Sequence, residues 1–167
     1  FSRLRGRTGI MSHQQHRQQA PGSIRCAVIT VSDTRTPDND TSGQYMQQAL
    51  TQAGHTVSAY SIVKDEPEDI RRLLTHFIQA EDTDAILLSG GTGLSPRDGT
   101  YEVVQSCLEK ELTGFGEIFR YLSYAEIGAA AMMSRATAGV ARGTVIVSMP
   151  GSSAAVRLAM EKLILPE

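Results

Sequence analysis

From Ser23 onward, short apolar runs alternate with longer stretches in which apolar residues recur every three or four positions. Cys26–Val31 (CAVITV) is apolar and β-branched, the pattern of a strand covered on both faces. A polar loop, 32–39, leads to a helix capped by Asp40, Thr41 or Ser42 and closed at Gly54. Tyr45, Met46, Ala49, Leu50 and Ala53 share one face of that helix. His55–Val63 reads as a second strand. Ile70, Leu73, Leu74, Phe77 and Ile78 stand at i, i+3, i+4, i+7 and i+8, which predicts a helix over 66–80 with Pro67 in its first turn. Ala85–Ser89 is a third strand, and a helix is predicted over 100–108. Residues 114–134 are helical with breaks. Two short strands, 138–141 and 144–148, meet at Arg142-Gly143 as a hairpin, and a helix over 153–165 closes the chain.

Strands alternating with helices predict an α/β protein: a three-layer α/β/α sandwich around a mostly parallel sheet. Residues 23–167 read as a single domain, without internal repeat or linker. Residues 1–22 read as an added leader ending before a native start at Met11, then a flexible polar tail carrying His13 and His16.

Composition narrows the function. Of 167 residues, 41% are apolar, enough for a core of normal size. The net charge of -2, the lack of Trp and the scarcity of aromatics beside Lys or Arg argue against a nucleic-acid partner. No apolar stretch is long enough to span a bilayer, so no membrane partner is expected. Cys26 and Cys107 stand far apart with no metal spacing, and Cys26 reads as a buried thiol of a reducing, cytoplasmic protein.

In an open α/β sheet, ligands bind beyond the carboxyl ends of the strands. Every predicted exit carries hydroxyls, acids or glycine. Ser32 and Asp33 come after the first strand, and Lys64 and Asp65 after the second. Ser89-Gly90-Gly91-Thr92-Gly93 ends the third, with Ser95, Arg97 and Asp98 close behind. Pro150-Gly151-Ser152 comes after the last. The glycine run lets backbone N–H groups approach an anion. It lacks the Lys-Ser/Thr of a Walker loop and the third glycine of the dinucleotide fingerprint. Pro150-Gly151-Ser152 opens a helix and suits phosphate, or Ser152 is an ordinary cap. Asp65 and Asp98 are either caps or, beside phosphate, ligands for Mg²⁺. Arg97 is either a phosphate partner or a surface arginine.

The strings "VSDTR…DNDTSG", "SGGTGLSPRDGT", "ELTGFGEIFRYLSYAEIGAAAMMSRATAGV" and "MPGS" resemble the molybdenum cofactor biosynthesis family of MoaB and MogA, related to the gephyrin G domain, over residues 23–166. The "SDTR", "SGGTGLSPRD" and "SRATAG" details are more similar to MoaB. The resemblance implies a substrate, molybdopterin, whose phosphate receives AMP from Mg-ATP with release of pyrophosphate. It implies no tightly bound metal, a homo-trimer or hexamer, and a downstream molybdate-inserting enzyme as partner. It carries catalysis and Mg²⁺ to Asp65 and Asp98. Molybdopterin and phosphate contacts fall on Ser32, Asp33, Ser89, Gly90, Gly91, Thr92, Gly93, Ser95, Glu117, Pro150, Gly151 and Ser152. Gly99 stands where the family pattern suggests a side chain, an exchange expected to loosen the turn. Two other readings stay open: a non-catalytic molybdopterin carrier, and an assembly role in which the Ala/Met-rich 128–133 segment forms a subunit contact.

Overall fold

The computed structural model describes residues 21–167. The leader, the start at Met11 and the tail histidines His13 and His16 lie outside the described residues. One six-stranded sheet organises the chain. Its strands are β1 (Arg25–Val31), β2 (Thr56–Val63), β3 (Ala85–Ser89), β4 (Lys110–Glu111), β5 (Thr137–Ala141) and β6 (Thr144–Met149). They lie in the order β2-β1-β3-β6-β5-β4. The first four in that order run parallel; β5 and β4 are antiparallel additions at one side.

The helices are α1 (Thr41–Gln52), α2 (Pro67–Gln79), α3 (Thr100–Cys107), α4 (Thr113–Ile127) and α5 (Ser153–Ala159). On one face of the sheet, Met46, Leu50, Phe119, Val156 and Met160 pack on Val28, Leu87, Val147 and Met149. On the other, Ile70, Leu74, Phe77, Val103 and Val104 pack on Ile29, Ile86, Leu88 and Ile146. The three layers expected from the alternation are therefore present. The inner parallel strands β1, β3 and β6 send side chains to both faces and are buried over most of their length, whereas β2 at the edge is only half-buried; fully burying one Leu, Ile or Phe contributes about 1.5–3 kcal/mol.

Local chemistry fixes the joints. Among the three candidate caps of α1, Asp40 is the one used: its carboxylate accepts the Gly43 N–H at 2.9 Å. The β5–β6 hairpin turns at Arg142-Gly143 as expected, with φ of 50° and 84°, the pair of positive angles that matches strand twist. The structure departs from the sequence pattern near residue 110 and beyond residue 127. The two-residue β4 is not predicted, because Lys110-Glu111 carries no apolar signal. The 114–134 stretch divides at Gly128 (φ 63°) into α4 and a 3-10 turn, Gly128–Met133. In that turn Ala131 is buried while Met132 and Met133 are exposed. The closing helix likewise changes at Met160 into a π-helical turn, Met160–Ile164.

Register decides where ligand groups gather. Val31 pairs with Val63, Thr30 with Ser89, and Ser89 with Met149. The four parallel strands thus end level. Ser32, Lys64, Gly90 and Pro150 leave the sheet side by side.

Candidate functional site

The β3 exit wedges between its neighbours. Gly90 continues the ladder through a bond from its N–H to Met149 O, 3.1 Å, and has φ of 100°. A Cβ there would stand 2.2 Å from Val31 O, so only glycine fits. Gly151 backs against it: a Cβ on Gly151 would lie 3.1 Å from Gly90 Cα. Gly151 O is held by the Ser42 hydroxyl at 3.0 Å. The first and last parallel-strand exits thus close around the glycine turn.

Both acids reach that turn. A Cβ on Gly91 (φ 64°) would stand 3.0 Å from each Asp65 carboxylate oxygen, and one on Gly93 would stand 2.6 Å from Asp98 Oδ2. Neither acid caps a helix. The cap positions of α2 and α3 are Glu66 and Gly99, neither with a side-chain cap bond. Asp65 Oδ1 instead accepts the Gly99 N–H at 3.3 Å, and Asp98 Oδ2 accepts the Ser95 N–H at 3.0 Å. These bonds correct the cap reading of both residues. Ser152 does cap α5, accepting the Ala155 N–H at 3.2 Å.

Charge is concentrated here. Burial raises the Asp65 carboxyl above the usual range; the Gly99 N–H opposes this, and the neighbouring Asp98 and Asp33 add to the rise. Asp33 accepts the Asp65 N–H at 3.2 Å and pairs with Arg97 Nε at 2.9 Å. That guanidinium, with the Asp65 N–H second, holds Asp33 below the usual range. Arg97 also pairs with Glu66 at 2.9 Å. Its charge is shared by two carboxylates, so Arg97 links the β1, β2 and β3 exits and is no idle surface arginine.

Three open clefts border the turn. Ser32, Asp33, Tyr60 and Lys64 line one of about 460 Å³. Ser95, Asp98, Gly99, Arg71 and Arg135 line another of about 470 Å³. Glu117 lines a third, of about 420 Å³, with Arg120, Thr137 and again Arg135. Arg135 lines both the second and the third, so Glu117 and Asp98 line separate clefts that share this arginine. Gly90–Gly93 and Pro150–Ser152 line none of the three. Ser89 points inward: it is 1% exposed and its hydroxyl has no hydrogen-bond partner among the described residues. Thr92 is buried, with its carbonyl bound by Arg135 Nε at 3.0 Å.

Sequence reasoning missed three participants. Arg135 lies inside the quoted "SRATAG" string, 43 residues from the carbonyl it holds. Thr100 comes two places after Asp98 in "SPRDGT"; its hydroxyl is buried with no hydrogen-bond partner among the described residues, 2.0 Å from where a Gly91 Cβ would stand. Glu66 shares Arg97 with Asp33. Gly99, expected to loosen its turn, packs closely instead: a Cβ there would lie 2.9 Å from Pro67 Cγ.

Two carboxylates of this kind suit a divalent cation that also binds phosphate oxygens, the usual manner of Mg²⁺. Among the described residues no group of three or more His, Cys, Asp or Glu forms a metal cage. Both cysteines are free, and burial pushes the Cys26 thiol up to about 11. No helix among the described residues is long and apolar enough to cross a membrane.

Known proteins share this sequence pattern and fold. Residues 27–167 match the family described as "Probable molybdopterin binding domain". The molybdenum cofactor biosynthesis protein B of Bacillus subtilis is 57% identical over 158 residues, covering 94% of this chain and 93% of its own. The crystal structure of a molybdenum cofactor biosynthesis protein B superposes with a TM-score of 0.86 at 53% identity, covering 89% of this chain and 93% of that one. The tungsten cofactor synthesizing protein MoaB of Pyrococcus furiosus gives a TM-score of 0.76 at 38% identity, over 85% of this chain and 91% of its own. Matched over nearly its whole described length in sequence and in fold, the chain belongs to the molybdenum cofactor biosynthesis family of the MoaB proteins.

Proposed function

We propose that this protein acts in molybdenum cofactor biosynthesis, binding molybdopterin and transferring AMP from Mg-ATP onto its terminal phosphate. The observation that carries this reading is the approach of Asp65 and Asp98 to a glycine turn from separate elements, with neither acid spent on a helix cap. A molybdopterin phosphate oxygen attacks the α-phosphorus of ATP. The new P–O bond forms as the α–β bridge breaks, and pyrophosphate leaves with the electron pair. No covalent intermediate on the protein is needed; the work is alignment and charge stabilisation. Gly93 and its neighbours supply backbone N–H donors. Asp65 and Asp98 would hold Mg²⁺, which neutralises phosphate charge when bound. Ser32 and Asp33 on one side, and Ser95 on the other, offer polar edges for the rest of the ligand, with Pro150–Ser152 behind the turn.

The assay is pyrophosphate release from ATP and molybdopterin by the native protein. Release that depends on both substrates is expected; molybdopterin binding without release favours the carrier reading. That alternative needs only a binding surface, which the polar clefts lined by Ser32 and Asp33 and by Ser95 and Asp98 offer. In the pathway, the adenylylated product passes to a molybdate-inserting partner in the cytoplasm. The protein is proposed to work as a homo-trimer or hexamer. Support comes from α4 and the 3-10 turn, where Tyr121 is 78% exposed and Met132 76%, with Ile118, Tyr124 and Ile127 alongside.

A further inference from the structure

Arg135 leaves the segment before β5 and crosses to the β3 exit. Its Nε donates to Thr92 O at 3.0 Å, and one terminal nitrogen donates to Gly93 O and to Asp98 O, the latter at 3.2 Å. The other terminal nitrogen pairs with Glu102. The guanidinium carbon sits 5.0 Å from the centre of the Tyr101 ring. The side chain is 20% exposed, so these bonds form in a largely desolvated place. One planar fork therefore grips three backbone carbonyls of a single turn.

A trans peptide is planar, with its C=O and N–H on opposite sides. Drawing the carbonyls of Thr92, Gly93 and Asp98 towards Arg135 turns the N–H groups of Gly93, Leu94 and Gly99 the other way. The third of these is seen to do so: the Gly99 N–H donates to Asp65 Oδ1 at 3.3 Å. No hydrogen bond within the described residues engages the N–H of Gly93 or Leu94. They are two directed, unspent donors on the side away from the guanidinium.

We propose that Arg135 is the positioning residue of the anion site: by holding three carbonyls from behind, it aims the Gly93 and Leu94 N–H groups at a phosphate and steadies Asp65 through Gly99. This deepens the phosphate-binding reading above and rests on it. Arg135 touches no phosphate itself. A lysine cannot replace it, since a point charge on a flexible stem does not hold three carbonyls in a fixed fork.

The test uses the full chain, with Arg135→Lys and Arg135→Ala, and inorganic pyrophosphate as probe. In the ligand-free protein the amide resonances of Gly93, Leu94 and Gly99 are expected to shift in Arg135→Lys. The sheet amides stay in place, and the melting temperature stays within about 3 °C of the parent. Pyrophosphate affinity falls about tenfold or more, and in turnover kcat falls while KM for molybdopterin changes little. Guanidinium ion at millimolar level restores part of the pyrophosphate binding of Arg135→Ala. Parental pyrophosphate affinity in Arg135→Lys overturns the proposal. If the parent protein binds no pyrophosphate, the phosphate reading itself fails; unmoved amides of the three residues in Arg135→Lys then dismiss the positioning role as well.

Discussion

Gly91 has a φ of 64°, and a side chain there would meet the Thr100 hydroxyl at 2.0 Å. Gly91→Ala is expected to cost about 1–3 kcal/mol in chemical unfolding, since strain and overlap add. Asp65 behaves in the opposite sense. Its carboxyl is raised by burial, so at neutral pH its charge is held at a cost. A raised folded pKa gives stability that is present below the unfolded value, about 3.9, and lost as pH rises through the folded one. Asp65→Asn should therefore raise the melting temperature at pH 7, a gain that disappears towards pH 4. Its pyrophosphate release should fall by about a hundredfold or more, with molybdopterin binding largely kept. A mutant as active as the parent removes Asp65 from the chemistry.

At the scale of elements, α1 depends on a single buried acid. Asp40 is 1% exposed, accepts the Gly43 N–H and receives the Tyr60 hydroxyl at 2.6 Å. Burial, with Asp40 next, pushes the Tyr60 hydroxyl above its ordinary range. Asp40→Ala removes the cap and leaves Tyr60 unpaired, so a loss of about 2 kcal/mol in denaturant unfolding is expected. Most elements could be read from the chain because burial imposes periodicity: Ile70, Leu74 and Phe77 mark α2, and Ala85–Ser89 marks β3. The rim could be read for a related reason. Parallel strands must share a carboxyl edge, so the residues just beyond each strand, Asp33, Asp65, Gly90 and Gly151 among them, must gather there. The features that escaped reading depend on contacts between distant segments. Nothing near Arg135 shows that its fork closes on carbonyls of residues 92, 93 and 98. Nothing around Glu117 shows that its cleft shares Arg135 with the one lined by Asp98. The two-residue β4 is defined by its partner in β5 and not by its own residues.

At the scale of the whole molecule, one ion pair ties two strand starts together. Arg25 binds Asp84 through three contacts, from its N–H at 2.8 Å and its guanidinium at 3.0 and 2.7 Å, tying the start of β1 to the residue before β3. This holds the Asp84 carboxyl down at about 2. A depressed carboxyl gives stability present above the unfolded value, about 3.9, and lost as pH falls towards the folded one. Acid unfolding should therefore steepen between about pH 4 and pH 2, and Arg25→Ala should flatten that limb in a circular-dichroism titration. The apolar outer face of α4 should be covered in the assembled state. Tyr124→Glu with Met132→Glu is expected to shift sedimentation towards the monomer while leaving the far-ultraviolet spectrum intact.

The sheet is finished differently at its two margins. On one side it stops at Lys110-Glu111, a stub of two exposed, opposite charges. On the other lies β2, eight residues long, half-buried and, among the described residues, paired with β1 alone. A free strand from another molecule finds almost no template at the stub and a full-length one along β2. Any misassembly by strand addition is therefore one-sided, and a single lysine placed outward in the middle of β2 is the place to block it.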